Sequence, residues 1–315
     1  MTIASIDIGT NTILLLIAEV DKTGMIRALH QEQRLPRLGQ NVDASGNLSV
    51  AVFDRASWIL KEYLSIAAQF GAHHVFACAT SAVRDARNKE EFLTYVRTET
   101  GLAVEVISGE DEAAYTYLGA TSNLRGGGAE LCVLDIGGGS TELTFASSDK
   151  SDRPEVLRRF SFQIGAVRLT ERFLKNRPPH SSELRAANEL IRRELEILRS
   201  REFQGYKLVG VAGTLTTLAC LDQQLPEFDV ERVSGYELTS DRVQWWCGRL
   251  SGMIPAEVAA LSAAAKGRED ILAAGVLILR ECMEAMKFRS VTVSERGLRY
   301  GYAIHRSQLM QHSAL

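Results

Sequence analysis

Short apolar stretches alternate with helix-like stretches along the first half of the chain. Apolar residues that alternate or run together for five to nine positions predict strands, and apolar residues at helical spacing predict helices between them. Ser49 and Gly71 mark the start and the stop of the first long helix. The predicted strands span residues 2–8, 12–20, 25–34, 75–79 and 103–107, and the predicted helices span 49–71, 88–101 and a segment from 108.

The same order starts again after the flexible stretch Gly126-Gly127-Gly128. Strands are predicted at 130–136, 141–146, 155–163, 207–212 and 290–294, with helices at about 166–176, at 182–200 and from about 298. Each half is thus a meander followed by alternating helices and strands, which predicts an α/β mixed sheet covered by helices. We expect two domains, 1–126 and 127–315, with the last helix packing back on the first.

A glycine-containing turn follows the first strand of each half. Asp7-Ile8-Gly9-Thr10-Asn11 lies in the first half, and Asp135-Ile136-Gly137-Gly138-Gly139-Ser140-Thr141-Glu142 in the second. Such turns can aim successive backbone N–H groups at an anion. Asp135 and Glu142 are hard oxygen ligands suited to Mg²⁺. A plain hairpin with exposed acids is the competing interpretation, but the repeat favours a two-domain protein with a cleft.

Composition narrows the class of protein. The chain has 315 residues, is 45% hydrophobic and carries a formal net charge of -3, which gives no bulk attraction to nucleic acid or to an anionic membrane. The apolar run from Ile13 to Ala18 is too short to cross a bilayer, and no leader precedes it, so we expect a cytoplasmic protein. The five scattered cysteines indicate reduced core residues.

A set of short blocks in a fixed order resembles the exopolyphosphatase and guanosine pentaphosphate phosphohydrolase (Ppx/GppA) family. The blocks are the two turns above, Ala79-Thr80-Ser81-Ala82-Val83-Arg84, Ile107-Ser108-Gly109-Glu110-Asp111-Glu112-Ala113, Gly165-Ala166-Val167, Gly213-Thr214 and Ser294-Glu295-Arg296-Gly297-Leu298-Arg299. The resemblance implies the duplicated ribonuclease-H-like fold of actin, Hsp70 and sugar kinases, with an active site between the lobes. It also suggests a short, two-domain member of the family.

The resemblance assigns the attacking water to Glu112. Crowding by Glu110 and Asp111 would raise at least one carboxyl pKa toward the range of a general base, although acids in the first turn of a helix also simply favour its dipole. Arg84, expected in a loop just past a strand end, could grip phosphate oxygens and stabilise charge during transfer.

The remaining expected site residues bind metal or phosphate. Asp135, Glu142 and Asp7 are expected to hold Mg²⁺ or Mn²⁺, although Asp7 could merely cap its turn. The expected phosphate ligands are Thr10, Asn11, Ser81, Gly137, Gly138, Gly139, Ser140, Thr141, Gly213 and Thr214, with Thr216 and Thr217 as alternative helix caps. The expected partner is polyphosphate or a guanosine polyphosphate rather than DNA or a membrane, and a homodimer stays open.

The predicted reaction is Mg²⁺-dependent, processive removal of terminal phosphate from polyphosphate, from guanosine pentaphosphate or from both. The chain departs from the resembled family at Leu14, where members commonly carry Arg or His, at Glu295, where Asp is usual, and at Thr10 and Thr12, which replace serines. A sensor that binds these polyanions without hydrolysis, and a small-molecule kinase of the same fold, are the rival hypotheses.

Five arginines follow the glycine break. Arg153, Arg158, Arg159, Arg168 and Arg172 lie along the third strand and the next helix of the second half. They could form a track for a polyphosphate chain, although a solvated face is the commoner role of such residues.

Overall fold

The computed structural model of the chain describes residues 1–21, 25–123, 130–148, 154–200, 203 and 205–313. Within these ranges the chain divides into two compact units, the first formed by residues 1–124 and 296–315 and the second by residues 125–295. The boundary predicted at residue 126 lies outside the described residues and stays a prediction.

The first unit is built on one five-stranded sheet. Its elements are β1 (Thr2–Ile8), β2 (Ile13–Val20), β3 (Ile26–Arg34), α1 (Val42–Ser45), α2 (Val50–Gln69), β4 (His74–Ala79), α3 (Ser81–Asp85), α4 (Lys89–Thr100), β5 (Val104–Val106) and α5 (Gly109–Thr121). The strand order is β3-β2-β1-β4-β5. β1, β2 and β3 pair antiparallel, whereas β4 and β5 run parallel to β1.

The second unit repeats this plan with one more strand. Its elements are β6 (Leu131–Ile136), β7 (Thr141–Ser148), β8 (Pro154–Phe162), α6 (Ala166–Phe173), α7 (Ser181–Glu194), β9 (Lys207–Val211), α8 (Ala212–Asp222), α9 (Val230–Val233), β10 (Glu237–Thr239), α10 (Ser240–Ser251), α11 (Pro255–Leu261), α12 (Leu272–Met286) and β11 (Ser290–Val293). The last helix of the chain, α13 (Leu298–Ser313), belongs to the first unit.

The two sheets share one strand order, which confirms the predicted duplicated α/β fold class. The second sheet has the order β10-β11-β9-β6-β7-β8, so that β6, β7, β8, β9 and β11 take the places of β1 to β5. β6, β7 and β8 pair antiparallel, and β9 and β11 run parallel to β6. The cleft predicted between the two halves stays a prediction.

Both faces of the central strands β1 and β2 of the first sheet are buried. On one face Ile6 and Ile8 of β1 share a core with Leu60 of α2 and Phe92 of α4. On the other face Ile3 of the same strand packs in a separate core that includes residues of α13. Burial on both faces explains why these strands read as nearly continuous apolar runs in the sequence.

Helices α5 and α13 touch backbone to backbone. A Cβ atom at Gly301 would lie 1.6 Å from the carbonyl oxygen of Tyr115, and a Cβ at Gly119 would lie 2.2 Å from that of Gly297. Only glycine permits this approach. The last helix of the chain therefore supports the helix that carries Glu112.

No helix in the described ranges is both long and apolar enough to span a bilayer.

Several predicted boundaries were wrong for local reasons. α6 ends at Phe173 rather than near residue 176 because the carboxylate of Glu183 accepts from the N–H groups of Lys175 (2.8 Å) and Asn176 (3.1 Å). The helix predicted at 182–200 is α7 followed by a separate 3-10 turn at Glu196–Arg199. α3 and β10 were missed because elements of five and three residues are too short to show a period.

Candidate active site

The two glycine turns have the same backbone hydrogen bond. The N–H of Gly9 donates to the carbonyl oxygen of Thr12 at 3.0 Å, and the N–H of Gly137 donates to that of Ser140, also at 3.0 Å. Each turn joins the first two antiparallel strands of its sheet. The repeat in the sequence is therefore a repeat in three dimensions.

The first turn is anchored by the segment that follows β3. The carbonyl oxygen of Thr10 accepts from the N–H of Gly39 at 2.8 Å, and that of Asn11 accepts from the N–H of Arg37 at 3.1 Å. A Cβ at Gly39 would lie 2.1 Å from the Thr10 methyl carbon, so a side chain there would displace the turn. Thr10 and Asn11 are both buried, and their backbone carbonyl groups are fixed by these hydrogen bonds.

The second turn is anchored by the start of α6. The carbonyl of Gly137 accepts from the N–H of Ala166 (2.9 Å), and the carbonyl of Gly138 accepts from Val167 (2.8 Å) and Arg168 (3.0 Å). The side-chain Nε of Arg168 donates to the carbonyl of Gly139 at 2.7 Å.

This anchoring decides where the N–H groups of the second turn point. A planar trans peptide carries its C=O and the following N–H on opposite sides. Because three successive carbonyls are held toward α6, the N–H groups of Gly138, Gly139 and Ser140 are aimed away from it. In the described part of the chain none of these three N–H groups donates to a backbone carbonyl. Successive N–H groups of this kind form an anion-binding concavity.

Asp135 and Glu142 lie directly opposite each other on β6 and β7, beside this turn. Both are buried, with relative exposures of 8% and 1%, and Oε1 of Glu142 accepts from the Ser161 hydroxyl at 2.8 Å. Like charges directly opposite one another destabilise a strand pair, and carboxylate oxygens are the ligands that Mg²⁺ prefers. The pair therefore fits a divalent cation.

Asp7 has a different neighbour in the first unit. In the register of β1 and β2 it lies opposite Leu14, so an apolar, half-buried side chain takes the place that Glu142 has in the second unit. Among the described residues no group of three or more His, Cys, Asp or Glu side chains could hold a metal ion. Mg²⁺ usually takes only one or two protein carboxylates, with waters and phosphate oxygens as its other ligands.

Arg84 and Glu112 form an ion pair in the first unit. Nη1 of Arg84 donates to Oε2 of Glu112 at 2.9 Å and to the carbonyl of Ile107 at 3.0 Å. Nη2 of Arg84 is buried and has no hydrogen-bond partner in the described part of the chain. Arg84 lies in the last turn of α3 and not in a loop, which corrects the expectation. Ser81, also buried, begins the same helix and donates to Asp85 at 3.2 Å.

The three acids at the start of α5 have different environments. Glu110 and Asp111 are exposed, and the N–H of Asp111 donates to the hydroxyl of the N-cap residue Ser108 at 3.0 Å. Glu112 is only 7% exposed, and its carboxylate forms an ion pair with Arg84 at 2.9 Å. Glu110 and Asp111 thus fit the helix-dipole role, whereas Glu112 is set apart from them.

The thiol of Cys78 shares this environment. Burial raises the pKa of Cys78 well above its ordinary value, and the carboxylates of Asp7 and Glu112 raise it further. Cys78 is the β4 partner of Asp7 in the sheet. A thiol kept neutral in this way is not a nucleophile.

The turn from β9 to α8 is in contact with the guanidinium of Arg268, a residue that the sequence did not single out. A Cβ at Gly213 would lie 2.3 Å from Nε of Arg268, so this guanidinium rests on the glycine backbone. Burial lowers the pKa of Arg268. Ala212, just before Gly213, has φ 69°, a conformation that costs a non-glycine residue about 1 kcal/mol. Arg268 has no periodic or motif context, so nothing in the sequence marks it.

Three threonines have side chains directed into the protein. The hydroxyl of Thr141 donates to the carbonyl of Ile164 at 2.6 Å, and the buried Thr214 packs against Gly275 of α12. The hydroxyl of Thr216 donates to the carbonyl of Ala212 one turn back at 3.1 Å instead of capping α8. For Thr141 and Thr214 the predicted phosphate contact stays a prediction.

Two units with the strand order of the actin, Hsp70 and sugar-kinase fold, each with the same turn geometry beside an acid, define the class of this protein. Within that class, the model of the Ppx/GppA phosphatase family matches residues 16–309. The chain belongs to this family, as its motifs predicted.

Known relatives cover nearly the whole chain. Exopolyphosphatase 2 of Mycobacterium tuberculosis is 36% identical over 321 residues, which cover 96% of this chain and 97% of that protein. The bifunctional 3-dehydroquinate synthase/phosphatase of Fusobacterium nucleatum is 31% identical over 306 residues, covering 93% of this chain and 44% of that protein.

Solved structures agree with this assignment. The Ppx/GppA family member of Aquifex aeolicus has a TM-score of 0.80 and 34% identity, covering 99% of this chain and 98% of that one. An exopolyphosphatase from Cytophaga hutchinsonii has a TM-score of 0.86 and 27% identity, and 96% of each chain is covered.

Proposed function

We propose that this protein is an exopolyphosphatase that removes the terminal phosphate of inorganic polyphosphate by hydrolysis, one residue after another. The observation that carries the proposal is the second turn, where the N–H groups of Gly138, Gly139 and Ser140 are aimed away from α6 beside two buried, facing carboxylates. A site that combines N–H donors with carboxylates for a divalent cation suits a phosphoryl group. The names of the exopolyphosphatase relatives support this substrate.

We assign a role to each candidate residue from its contacts within its own unit. Asp135 and Glu142 would hold Mg²⁺ or Mn²⁺, which supplies neutralisation of phosphoryl charge when bound. The second turn binds phosphoryl oxygens through its N–H groups. Arg84 has one nitrogen tied to Glu112 and a second, buried nitrogen with a donor to offer to a phosphoryl oxygen.

Glu112 is assigned to the water. An ionised carboxylate only accepts hydrogen bonds, so Glu112 can orient a water molecule and take its proton as the water oxygen bonds to phosphorus. The bridging P–O bond breaks at the same time, and the remaining chain leaves with the electron pair of that bond. The products are orthophosphate and a polyphosphate shorter by one residue.

Polyphosphate is preferred to guanosine pentaphosphate because of Leu14. This half-buried leucine lies opposite Asp7, where the family resemblance leads one to expect an arginine or a histidine. An apolar side chain there offers no charge to a nucleotide's additional phosphates. A polyphosphate chain, which is recognised at its terminal residue, does not need that contact.

The test is phosphate release from polyphosphate, guanosine pentaphosphate and ATP, measured side by side with Mg²⁺, with Mn²⁺ and with EDTA. We expect metal-dependent release that is fastest from polyphosphate. A Glu112→Gln preparation purified in parallel shows how much release comes from contaminating phosphatases. Faster release from guanosine pentaphosphate would contradict the proposed preference for polyphosphate. Transfer of phosphate to a small-molecule acceptor would favour a kinase. Tight binding without phosphate release would favour a sensor.

A further inference from the structure

Arg168 holds the second turn through two different groups. It is the third residue of α6, and its backbone N–H donates to the carbonyl of Gly138 at 3.0 Å. Its side-chain Nε donates to the next carbonyl, that of Gly139, at 2.7 Å. One residue therefore fixes two successive peptide groups of the turn. This contact distinguishes Arg168 from the other arginines of the stripe, for which the sequence left open a polyphosphate track or a solvated face.

The Gly139–Ser140 peptide depends on that side chain more than its neighbours do. The Gly138 carbonyl has two backbone donors, from Val167 and Arg168, whereas in the described ranges no backbone N–H donates to the Gly139 carbonyl. Glycine places little restraint of its own on the orientation of the following peptide. Without the Arg168 guanidinium, no hydrogen bond in the described ranges holds the carbonyl of this peptide, so the direction of the Ser140 N–H is less constrained.

The residue that precedes α6, Gly165, packs tightly against the backbone of the second turn. A Cβ at Gly165 would lie 2.5 Å from the carbonyl carbon and oxygen of Gly138 and 2.6 Å from the carbonyl carbon of Gly139. The start of α6 is thus in direct backbone contact with the turn, and the Arg168 side chain completes that contact at its last peptide.

We propose that Arg168 is a positioning residue that aims the Ser140 N–H at the phosphoryl group by holding the Gly139 carbonyl on the opposite side. The inference rests on the proposed function of this turn in binding the terminal phosphate. Arg168 touches no substrate in this role. It acts through the peptide plane, so its effect is the same for a short and for a long polyphosphate.

The experiment compares three variants with the wild type. Arg168→Met removes the donor, Arg168→Lys keeps a cation that can reach the same carbonyl, and Arg185→Met removes an equal charge from α7, where the side chain is exposed. kcat and KM are measured on tripolyphosphate and on long-chain polyphosphate. The affinity for tripolyphosphate is measured by calorimetry, and the thermal unfolding midpoint shows that each variant is folded.

We expect Arg168→Met to lower kcat/KM by about 10- to 100-fold, mainly through kcat, since a misplaced donor costs most in the reacting geometry. The factor should be equal for both substrates, Arg168→Lys should recover part of it, and Arg185→Met should stay within two-fold of wild type. Weaker tripolyphosphate binding by Arg168→Met should accompany the loss.

Three results would overturn the inference. Arg168→Met could keep its kcat/KM, Arg185→Met could lose as much, or the loss could be confined to long chains, which would make Arg168 a chain contact. The proposed function fails separately. If the wild type releases no phosphate yet binds tripolyphosphate, and Arg168→Met weakens that binding, the positioning role holds while hydrolysis does not. If the wild type neither binds nor hydrolyses, both are wrong.

Discussion

At the scale of single residues, burial and an ion pair with Arg84 distinguish Glu112 from the two exposed acids that precede it in α5. Three consecutive acids begin α5, yet only Glu112 is buried and paired with a guanidinium at 2.9 Å. Burying a charged group is costly unless it is paired. A carboxylate placed where it must be held by a cation, beside a donor nitrogen that has no hydrogen-bond partner in the described residues, marks a polar site rather than a helix cap.

Glu112→Gln tests this assignment. Glutamine keeps the shape and an acceptor oxygen for Arg84 but cannot take a proton from water, so turnover should fall by roughly 10² or more while substrate affinity changes little. The measurement is kcat and KM for polyphosphate. Glu110→Gln, a change of the same kind at the exposed neighbour, should leave both constants unaltered. Turnover of Glu112→Gln within a few-fold of wild type would show that another group orients the water.

The sequence predicted a set of candidate site residues but not the residues that they contact. The acids and glycines of the two turns could be predicted because a strand, an acid and a glycine turn recur in order. That Glu112 pairs with Arg84, or that Arg268 rests on Gly213, could not be predicted, since these contacts join segments that are far apart in the sequence. The expected crowding of Glu112 by Glu110 and Asp111 ignored helix geometry, which points consecutive side chains in different directions.

At the scale of elements, the packing of α5 against α13 positions Glu112. Strand and helix types were predicted well where a period extends over many residues, as in α2, and poorly where tertiary contacts end an element, as at Phe173 in α6. The contact of α5 with α13 was not predictable from period or propensity. Its signal is three glycines, Gly119, Gly297 and Gly301, within helices or at their ends, where glycine would otherwise be unfavourable.

Gly301→Ala should destabilise the protein. The added methyl would lie 1.6 Å from the Tyr115 carbonyl oxygen, so the two helices must separate, at a cost of about 1–3 kcal/mol. Thermal unfolding measures the loss, and phosphate release should fall with it because α5 carries Glu112.

Gly248→Ala is the matched control. Gly248 lies in the exposed face of α10 with nothing within 4 Å of a Cβ, so alanine there should stabilise by up to about 1 kcal/mol. Equal effects of the two substitutions would contradict the close helix contact.

The N-terminal cap of α7 predicts a pH dependence. The pKa of Glu183 is lowered from 4.5 to about 2, first by the backbone N–H of His180 and then by those of Lys175 and Asn176. Because the folded-state pKa lies below the unfolded one, the stabilisation is present above the unfolded value and is lost as pH falls through the folded value. Glu183→Gln should therefore lower the unfolding midpoint at pH 7, and the difference from wild type should close between about pH 4.5 and 2.

The matching control for this cap lies on the same helix. Glu189 is exposed on α7, so Glu189→Gln should leave the unfolding midpoint unchanged at both ends of the pH range. A difference between Glu183→Gln and wild type that persists undiminished at pH 2 would mean that the cap acts through packing and not through the charge of the carboxylate.

At the scale of the whole molecule, the duplication was the strongest inference from the sequence. Two turns with the same spacing of acid, glycine and hydroxyl predicted two sheets of the same order, and the strand registers agree. The copies differ where function is proposed, since Leu14 lies opposite Asp7 but Glu142 lies opposite Asp135. Pattern alone could not show this difference, because the side-chain pairs follow from the register and not from the order of elements.

Because the net charge of the chain is -3, a long polyanion must be attracted by local cations. The arginines of the predicted stripe have different environments in the structure. Arg153 lies outside the described residues, and Arg168 binds the Gly139 carbonyl. Arg158 and Arg159 are both exposed on β8, but neighbours along a strand point to opposite faces. Arg159 shares its face with Ser161, the hydroxyl partner of Glu142, whereas Arg158 lies on the face of the aromatic core.

Arg159→Gln should therefore weaken binding of long polyphosphate, with Arg158→Gln as its control. A single exposed cation contributes roughly 0.2–1 kcal/mol, so KM for long chains should rise by up to about five-fold while KM for tripolyphosphate stays constant. The difference should shrink as salt rises, because exposed charges are screened over about 10 Å at 0.1 M. KM measured at two chain lengths and two salt concentrations decides the matter. Equal effects of the two variants, or an effect of Arg159→Gln that is the same for both chain lengths, would return Arg159 to the solvated face of the strand.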